Sequence, residues 1–168
     1  MRITIQPGDI TRITADAVVN AANSSLLGGL GVDGAIHRVG GPSILAECKH
    51  LRATTLPEGL PAGQAVATTA GDLPARWVIH TVGPVYSTDE DRSATLASAY
   101  AESLKLASEL GANSVAFPLI SAGAYGWPLA DAARIAVDTV RRADFGGEVI
   151  LVPFGEEATQ ALLLASDQ

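Results

Sequence analysis

One stretch near the amino terminus, residues 17–37, most constrains how this chain can fold. It reads AVVNAANSSLLGGLGVDGAIH. A short apolar run predicts a buried strand that ends near Asn20 and Asn23, and a glycine-rich loop follows. Such loops often bind ligands, because glycine lets a ligand approach the bare backbone. Asp33 then stands where a helical pattern begins, either as a general base positioned by Asn23 or simply as a helix cap.

The composition is that of a folded protein. The chain has 168 residues, of which 48% are hydrophobic and 17% are charged, so disorder is excluded and a single domain over residues 1–168 is expected. No apolar run approaches the ~20 residues of a membrane span, and the amino terminus lacks the apolar core of a signal peptide. The lone Cys48 cannot form an internal disulfide or a cysteine metal cluster. We expect a cytoplasmic monomer without a membrane partner, a metal or a cofactor.

The charge limits the kind of ligand. The net charge is −7, whereas bulk nucleic-acid binding needs a basic face. Among the scattered basic residues only Arg141 and Arg142 adjoin. An anionic ligand would therefore have to be held by backbone N–H groups rather than by a lysine patch.

The order of apolar runs and turn signals predicts a three-layer α/β/α domain with about six strands. The predicted strands are an alternating run around Ile3 and Ile5, then 17–20, 65–70, 77–82, 115–120 and 149–152. Helical patterns cover 33–39, the residues after Pro42, the stretch that ends at Gly111, the residues after Pro128, and the carboxyl terminus. The link between the third and fourth strands, residues 71–75, is too short for a crossover helix. The sheet is therefore expected to be mixed.

A second candidate site is the sequence SAGAYG, residues 121–126. Small residues between a strand and a helix present several backbone N–H groups and the positive end of a helix dipole, which suits a phosphate. It is neither a Walker motif nor a full dinucleotide fingerprint. The alternative is a plain strand-to-helix turn.

Asp9 follows the first strand, at the edge where open α/β sheets bind ligands. Its carboxylate can accept a hydrogen bond from an exocyclic amine while the Ile10 N–H donates to a ring nitrogen, a pair that matches the Watson–Crick edge of adenine. The alternative is that Asp9 is a turn residue. Phe154 and Tyr125 can stack on rings or cover the core.

Of the three histidines, one has a predicted role at the site. His37 lies one helical turn after Asp33 and can orient it. His50 and His80 are interpreted as structural. The lack of clustered histidines argues against a metal site.

Taken together, these motifs resemble a macrodomain of the MacroD type, the ADP-ribosyl hydrolases that also deacetylate O-acetyl-ADP-ribose. The resemblance spans nearly the whole chain and rests on GDI at 8–10, NAAN at 20–23, GVDGAIH at 31–37, HTVGP at 80–84, FP at 117–118 and GAYG at 123–126. It implies a mixed six-stranded sheet between helices, with ADP-ribose in a cleft at one edge of the sheet.

The resemblance also implies a role for each candidate residue. Asp9 and Ile10 read the adenine and Phe154 packs against it. Distal-ribose and catalytic roles fall to Asn20, Asn23 and Asp33, supported by His37. The residues expected to contact the diphosphate and the rest of the substrate are Gly31, Val32, Ser121, Ala122, Gly123, Ala124 and Tyr125.

The loop before Asp33 departs from the family, which usually has four glycines where this chain reads Gly28-Gly29-Leu30-Gly31. Either Leu30 has an ordinary φ or the loop is reshaped around it. In both cases we expect the side chain to lie near the distal ribose, where it narrows the pocket or shields the water from bulk solvent.

The chemistry predicted from these residues is hydrolysis at or near the distal ribose. Asp33 orients and deprotonates a water, Asn20 and Asn23 fix the ribose hydroxyls, and the bound diphosphate assists. The substrates expected are mono-ADP-ribosylated proteins with an ester linkage and O-acetyl-ADP-ribose. Two alternatives share the pocket: a non-catalytic ADP-ribose reader, and a phosphatase acting on ADP-ribose-1″-phosphate.

Overall fold

The sheet is mixed, as the short link between its third and fourth strands predicts. A computed structural model describes residues Met1–Gln168. Six strands join in the order β1-β6-β5-β2-β4-β3, and β3 alone runs antiparallel to its neighbour β4. The strands are β1 (Arg2–Ile5), β2 (Ala17–Ala21), β3 (Ala65–Thr69), β4 (Trp77–Thr81), β5 (Ser114–Phe117) and β6 (Glu148–Leu151).

Four α-helices connect the strands, a fifth follows β6, and a single 3-10 turn, Ile10–Arg12, follows β1. The helices are α1 (Gly31–Gly40), α2 (Pro42–Ala53), α3 (Ser93–Leu110), α4 (Leu129–Arg142) and α5 (Glu156–Ser166). None of them combines the length and apolar character needed to cross a membrane.

Two boundaries differ from those predicted by more than one residue. Helix α1 begins at Gly31, two residues before Asp33, so Asp33 lies in the first turn and is not the cap. Strand β5 ends at Phe117 rather than at residue 120, because Pro118 has no N–H to give to the ladder.

Alternation along the strands gives the sheet two buried faces. On β2 and β4, Val18 and Val78 point to one side, into a cluster of 17 buried residues shared with α1 and α2. Their neighbours Val19 and Ile79 point to the other side, into a cluster of 23 buried residues shared with α3, α4 and α5. The three-layer α/β/α architecture is therefore confirmed.

All the parallel strands end at the same edge of the sheet. The loops after β1, β2, β5 and β6 lie at this edge. Each loop that the sequence predicted as part of a candidate site is one of these four. This is the edge at which open α/β sheets bind ligands.

Candidate active site

An open cleft of about 780 Å³ lies at the carboxyl edge of the parallel strands. Four segments line it, one after each of β1, β2, β5 and β6. The lining includes Gly8, Asp9, Ile10, Gly31, Val32, Ala35, Arg38, Pro118, Leu119, Ala122, Gly123, Val152, Phe154 and Gly155. Most of the predicted substrate-binding residues therefore lie around one cavity.

Asp9 stands at one end of this cleft and keeps one carboxylate oxygen free of short contacts. Its Oδ1 accepts hydrogen bonds from the Thr11 N–H at 3.0 Å and from the Thr11 hydroxyl at 2.7 Å. These hydrogen bonds, aided by the charges of Arg12 and Arg38, hold the pKa of Asp9 below its ordinary value. The adjacent Ile10 N–H donates no hydrogen bond within the chain. A carboxylate acceptor and a backbone donor are thus available side by side.

Two of the segments that line the cleft carry free backbone N–H groups. Gly31 and Val32 form the start of α1, where the N–H groups lack intrahelical partners. In the loop after β5, which lines the cleft with Ala122 and Gly123, the N–H groups of Gly123, Ala124 and Tyr125 donate no hydrogen bond within the chain. Free N–H groups at a helix N-terminus and in a facing loop suit an anion.

The loop at residues 121–126 is held in shape from behind. Ser121 is buried, has a positive φ of 66° and donates its hydroxyl to the Pro84 carbonyl. The Trp127 N–H donates a hydrogen bond to the Ser121 carbonyl, and the Tyr86 N–H donates one to the Tyr125 carbonyl. This bracing leaves Gly123 and Ala124 exposed at the tip, where a ligand can reach their backbone.

The two candidate aromatic residues occupy different surroundings. Phe154 is 83% exposed on the rim of the cleft, so it does not cover the core. Tyr125 turns its ring toward a second cleft of about 740 Å³, and its hydroxyl donates to Asn23 Oδ1 at 3.3 Å. Phe154 is therefore free to stack on a ring, whereas Tyr125 braces Asn23.

The predicted catalytic residues do not line the cleft but form a polar cluster of their own, in which Asn23 and His37 are half-buried. Asn20 and Asp33 are 0% and 4% exposed, and the Asn20 amide donates to Asp33 Oδ1 at 2.8 Å. His37 Nε2 lies 3.4 Å from the same oxygen. Asn23 donates to the Gly28 carbonyl at 3.0 Å and so holds the loop above Asp33. The interpretation of His37 as a residue that orients Asp33 agrees with this geometry.

Three buried polar atoms of the cluster have no partner within the protein, namely Asn20 Oδ1, Asp33 Oδ2 and His37 Nδ1. A Cβ built on Gly29 would lie 3.0 Å from Asp33 Oδ2 and 2.7 Å from Asn23 Nδ2. A side chain at position 29 would therefore crowd Asn23 and the free carboxylate oxygen of Asp33. Buried polar groups are normally satisfied, so these three atoms are places where a water or a ligand atom can pair.

His80, interpreted from the sequence as structural, joins the cluster from β4. Its Nδ1 lies 3.1 Å from the Asn20 amide nitrogen, and its Nε2 lies 2.9 Å from the Thr68 hydroxyl. Burial, reinforced by the charge of His37, lowers the pKa of His80 to about 3. Burial likewise raises the pKa of the nearby Cys48 thiol to about 11, so the thiol stays protonated and unreactive.

Leu30 and Arg38 are the residues for which the sequence prediction fell short. Leu30 has an ordinary φ of −99°, but its side chain is 95% exposed and does not line the cleft. The expectation that it narrows the pocket is therefore wrong for this structure. Arg38 does line the cleft, one position after His37, but no motif or cluster of basic residues distinguished it in the sequence.

Comparison with known proteins agrees with this geometry. The family model described as Macro domain matches residues 19–136. A Macro domain-containing protein of Streptomyces nogalater is 73% identical over 139 residues, which are 83% of this chain and 77% of that protein. A protein of Citrobacter koseri named O-acetyl-ADP-ribose deacetylase is 58% identical over 146 residues, 86% of this chain and 80% of that one.

The fold matches solved structures equally well. A macrodomain of Oceanobacillus iheyensis, solved with ADP, superposes with a TM-score of 0.94 at 40% identity, covering 97% of this chain and 88% of that one. The family match includes the segments after β2 and β5 that line the cleft, and the superposition covers nearly the whole chain. This chain belongs to the Macro domain family.

Proposed function

We propose that this protein is a hydrolase that binds ADP-ribose. We further propose that it deacetylates O-acetyl-ADP-ribose, removes mono-ADP-ribose from acidic side chains of modified proteins, or does both. The name of the Citrobacter relative and the ADP held by the Oceanobacillus neighbour support the choice of ligand. The geometry of the cleft and of the buried cluster supports the assignment of roles.

The adenine and the diphosphate are assigned to the open cleft. Asp9 accepts a hydrogen bond from the exocyclic amine of adenine, the Ile10 N–H donates to the neighbouring ring nitrogen, and Phe154 stacks on the ring. The diphosphate lies between the start of α1 and the loop at 121–126, where the free N–H groups neutralise its charge. This arrangement explains how a protein with a net charge of −7 binds an anion.

One observation supports catalysis more than any other: the two oxygens of Asp33 are not equivalent. Oδ1 is held by Asn20 and lies near His37, whereas Oδ2 is buried without a partner beside Gly29 and Asn23. A general base needs a fixed carboxylate with one oxygen free to accept a proton from water. Binding a neutral ribose alone requires no such acid.

In the proposed mechanism, a water donates a hydrogen bond to Asp33 Oδ2. For O-acetyl-ADP-ribose, the water oxygen attacks the acetyl carbonyl carbon as Asp33 takes its proton. The ester C–O bond then breaks, Asp33 passes the proton to the departing ribose oxygen, and the acetic acid formed ionises, giving acetate and ADP-ribose. For an ADP-ribosylated acidic side chain, the water attacks the anomeric carbon of the distal ribose and the bond to the carboxylate breaks. The leaving carboxylate needs little protonation, which fits a site with a single carboxylate at the reacting end.

Substrate assays test this function. Purified protein is incubated with O-acetyl-ADP-ribose, with Glu-linked and Ser-linked ADP-ribosylated proteins, and with ADP-ribose-1″-phosphate, while calorimetry measures ADP-ribose binding. We expect turnover of the acetyl ester or of the Glu-linked protein. Binding without any turnover would identify a reader, and phosphate release alone would identify the phosphatase.

A further inference from the structure

Three residues from three adjacent strands form a polar chain beneath Asp33. Asn20 on β2 pairs directly with His80 on β4, and His80 pairs with Val66 on β3. Thr68 lies two residues beyond Val66, diagonal to His80 on the same face of the sheet. Their neighbours on this face, Val18, Val66 and Val78, are apolar and pack in the cluster shared with α1 and α2, so three adjacent polar side chains here require an explanation.

The hydrogen-bond directions in this chain follow from the carboxylate. Asp33 Oδ1 only accepts hydrogen bonds, so the atom of Asn20 that faces it at 2.8 Å is the amide nitrogen. The same nitrogen faces His80 Nδ1 at 3.1 Å, which makes Nδ1 an acceptor. A neutral imidazole then carries its hydrogen on Nε2 and donates to the Thr68 hydroxyl at 2.9 Å. The Thr68 hydroxyl in turn donates to the Thr69 carbonyl at 3.0 Å.

The Asn20 amide therefore donates both of its hydrogens, one to Asp33 Oδ1 and the other to His80 Nδ1. The amide cannot rotate to present its oxygen to Asp33 without placing two acceptors against each other. Asn20 is 0% exposed, so no solvent competes for it. The orientation of the Asp33 carboxylate depends on an amide whose own orientation depends on His80.

The surroundings of His80 keep its Nδ1 free to accept the hydrogen bond from the Asn20 amide. Burial holds its pKa near 3, so the ring stays neutral at the pH where a carboxylate base works. The Thr68 hydroxyl favours the Nε2–H tautomer, and the Cys48 sulfur, 3.8 Å from the same nitrogen, is a weaker partner. A proton on Nδ1 would face the Asn20 amide and break the chain.

We infer that His80 and Thr68 are positioning residues: acting through Asn20, they fix the Asp33 carboxylate so that Oδ2 stays free for water. The inference rests on the proposed function, because it assigns the chain to turnover and not only to folding. Partners of this kind, one step removed from the reacting groups, typically change activity about 10–100-fold when they are removed.

The test compares His80→Leu with His80→Asn. Leucine removes both ring nitrogens, whereas the asparagine side chain can place an amide oxygen near the position of Nδ1 and accept from Asn20. We expect kcat to fall about 10–100-fold in His80→Leu, with little change in ADP-ribose affinity, and to recover most of that loss in His80→Asn. Thr68→Val removes the acceptor for Nε2–H and should lower kcat about tenfold.

Thr81→Val is the matched control. Thr81 is a buried threonine on the same strand as His80, but its hydroxyl donates to the Gln64 carbonyl at 2.7 Å and touches no member of the chain. We expect Thr81→Val to lose stability without losing kcat. Thermal melts on all four variants separate loss of fold from loss of position.

A direct measurement does not depend on turnover. Two-bond 1H–15N correlation spectra of the histidine rings report the tautomer of His80 in the wild-type protein. We expect the Nε2–H form, without titration between about pH 5 and 8, and a mixture of tautomers in Thr68→Val.

The outcomes separate this inference from the proposed function. An Nδ1–H tautomer in the wild type, or equal kcat in wild type and folded His80→Leu, overturns the inference and leaves the hydrolase intact. The same holds if Thr81→Val loses as much kcat as Thr68→Val. A wild type that binds ADP-ribose and turns over nothing overturns the proposed function, and the inference falls with it.

Discussion

The open cleft and the buried cluster differ in their solvent exposure and in the kind of group that they offer to a ligand. The cleft is lined by loops and by residues of α1, α4 and α5, and it offers several free backbone N–H groups, with Phe154 83% exposed and Gly123 at a solvent-exposed tip. The cluster consists of side chains, and Asn20 and Asp33 in it are almost inaccessible. Helix α1 contributes to both, because Val32 lines the cleft and Asp33 belongs to the cluster.

Under the proposed function, this difference assigns ligand affinity to the cleft and the hydrolytic step to the cluster. Backbone donors bind an anion without needing a particular side chain. The cluster depends on mutual hydrogen bonds inside a low-dielectric interior, where leaving one member unpaired is costly. Changes in the cleft should therefore alter Kd, and changes in the cluster should alter kcat.

The largest effect is expected for Asp33→Ala. Loss of a general base typically lowers the rate about 10²–10⁴-fold, so kcat should fall by that factor while calorimetry with ADP-ribose shows nearly wild-type affinity. Asp89→Ala, which removes an exposed acid from the loop before α3, is the control and should change neither quantity. Equal loss of affinity and turnover in Asp33→Ala would contradict the assignment of binding to the cleft and of catalysis to the cluster.

Gly123→Glu should have the converse effect. A Cβ at Gly123 meets nothing within 4 Å, so the variant folds, but it places negative charge where the diphosphate is expected. Like charges in contact cost several kcal/mol, and ADP-ribose affinity should fall about a thousandfold. The matched control is Gly146→Glu, also exposed and unhindered, which adds the same charge just before β6, at the opposite edge of the sheet. Unchanged affinity in a folded Gly123→Glu would mean that the anion binds elsewhere.

Asp9→Ala should weaken ADP-ribose binding by about 1–3 kcal/mol, or about 5–150-fold, because the adenine amine loses its acceptor. Alanine also removes the hydrogen bonds from Thr11. Asp9→Asn provides the better comparison. The asparagine amide oxygen can still accept the hydrogen bonds from Thr11, whereas its NH₂ group is a donor that faces the donor amine of adenine. We expect both variants to bind weakly. Equal affinity of the wild type for ADP-ribose and GDP-ribose would remove the adenine assignment.

The smallest effect is expected for Leu30→Gly. Leu30 is 95% exposed and has an ordinary backbone conformation, and surface substitutions of this kind change free energies by about 0.5 kcal/mol or less. Kd and kcat should stay within about twofold of the wild type. A large change in kcat alone, measured on ester-linked substrates and O-acetyl-ADP-ribose, would show that Leu30 closes over the distal ribose when substrate binds.

The sequence was most informative where function depends on local chain geometry. Asp9 beside Ile10, the small residues at 121–126 and the glycines before Asp33 each form a local signal, because turns and helix starts are determined by neighbouring residues. The spacing of Asp33 and His37 also fixed their shared helical face. These predictions needed no knowledge of which strands are adjacent.

What the sequence determined by itself is the order of strands and helices, the mixed sheet, and the identity of the loops at its edge, because each follows from periodicity, turn residues and a short link. Only the tertiary structure decided that His80 and Thr68, 60 and 48 residues after Asn20, belong to the same polar chain. It also decided that Leu30 faces solvent and that Arg38 faces the cleft. Side-chain contacts across strands depend on strand order and register, and these are fixed by packing of the whole sheet rather than by any local pattern.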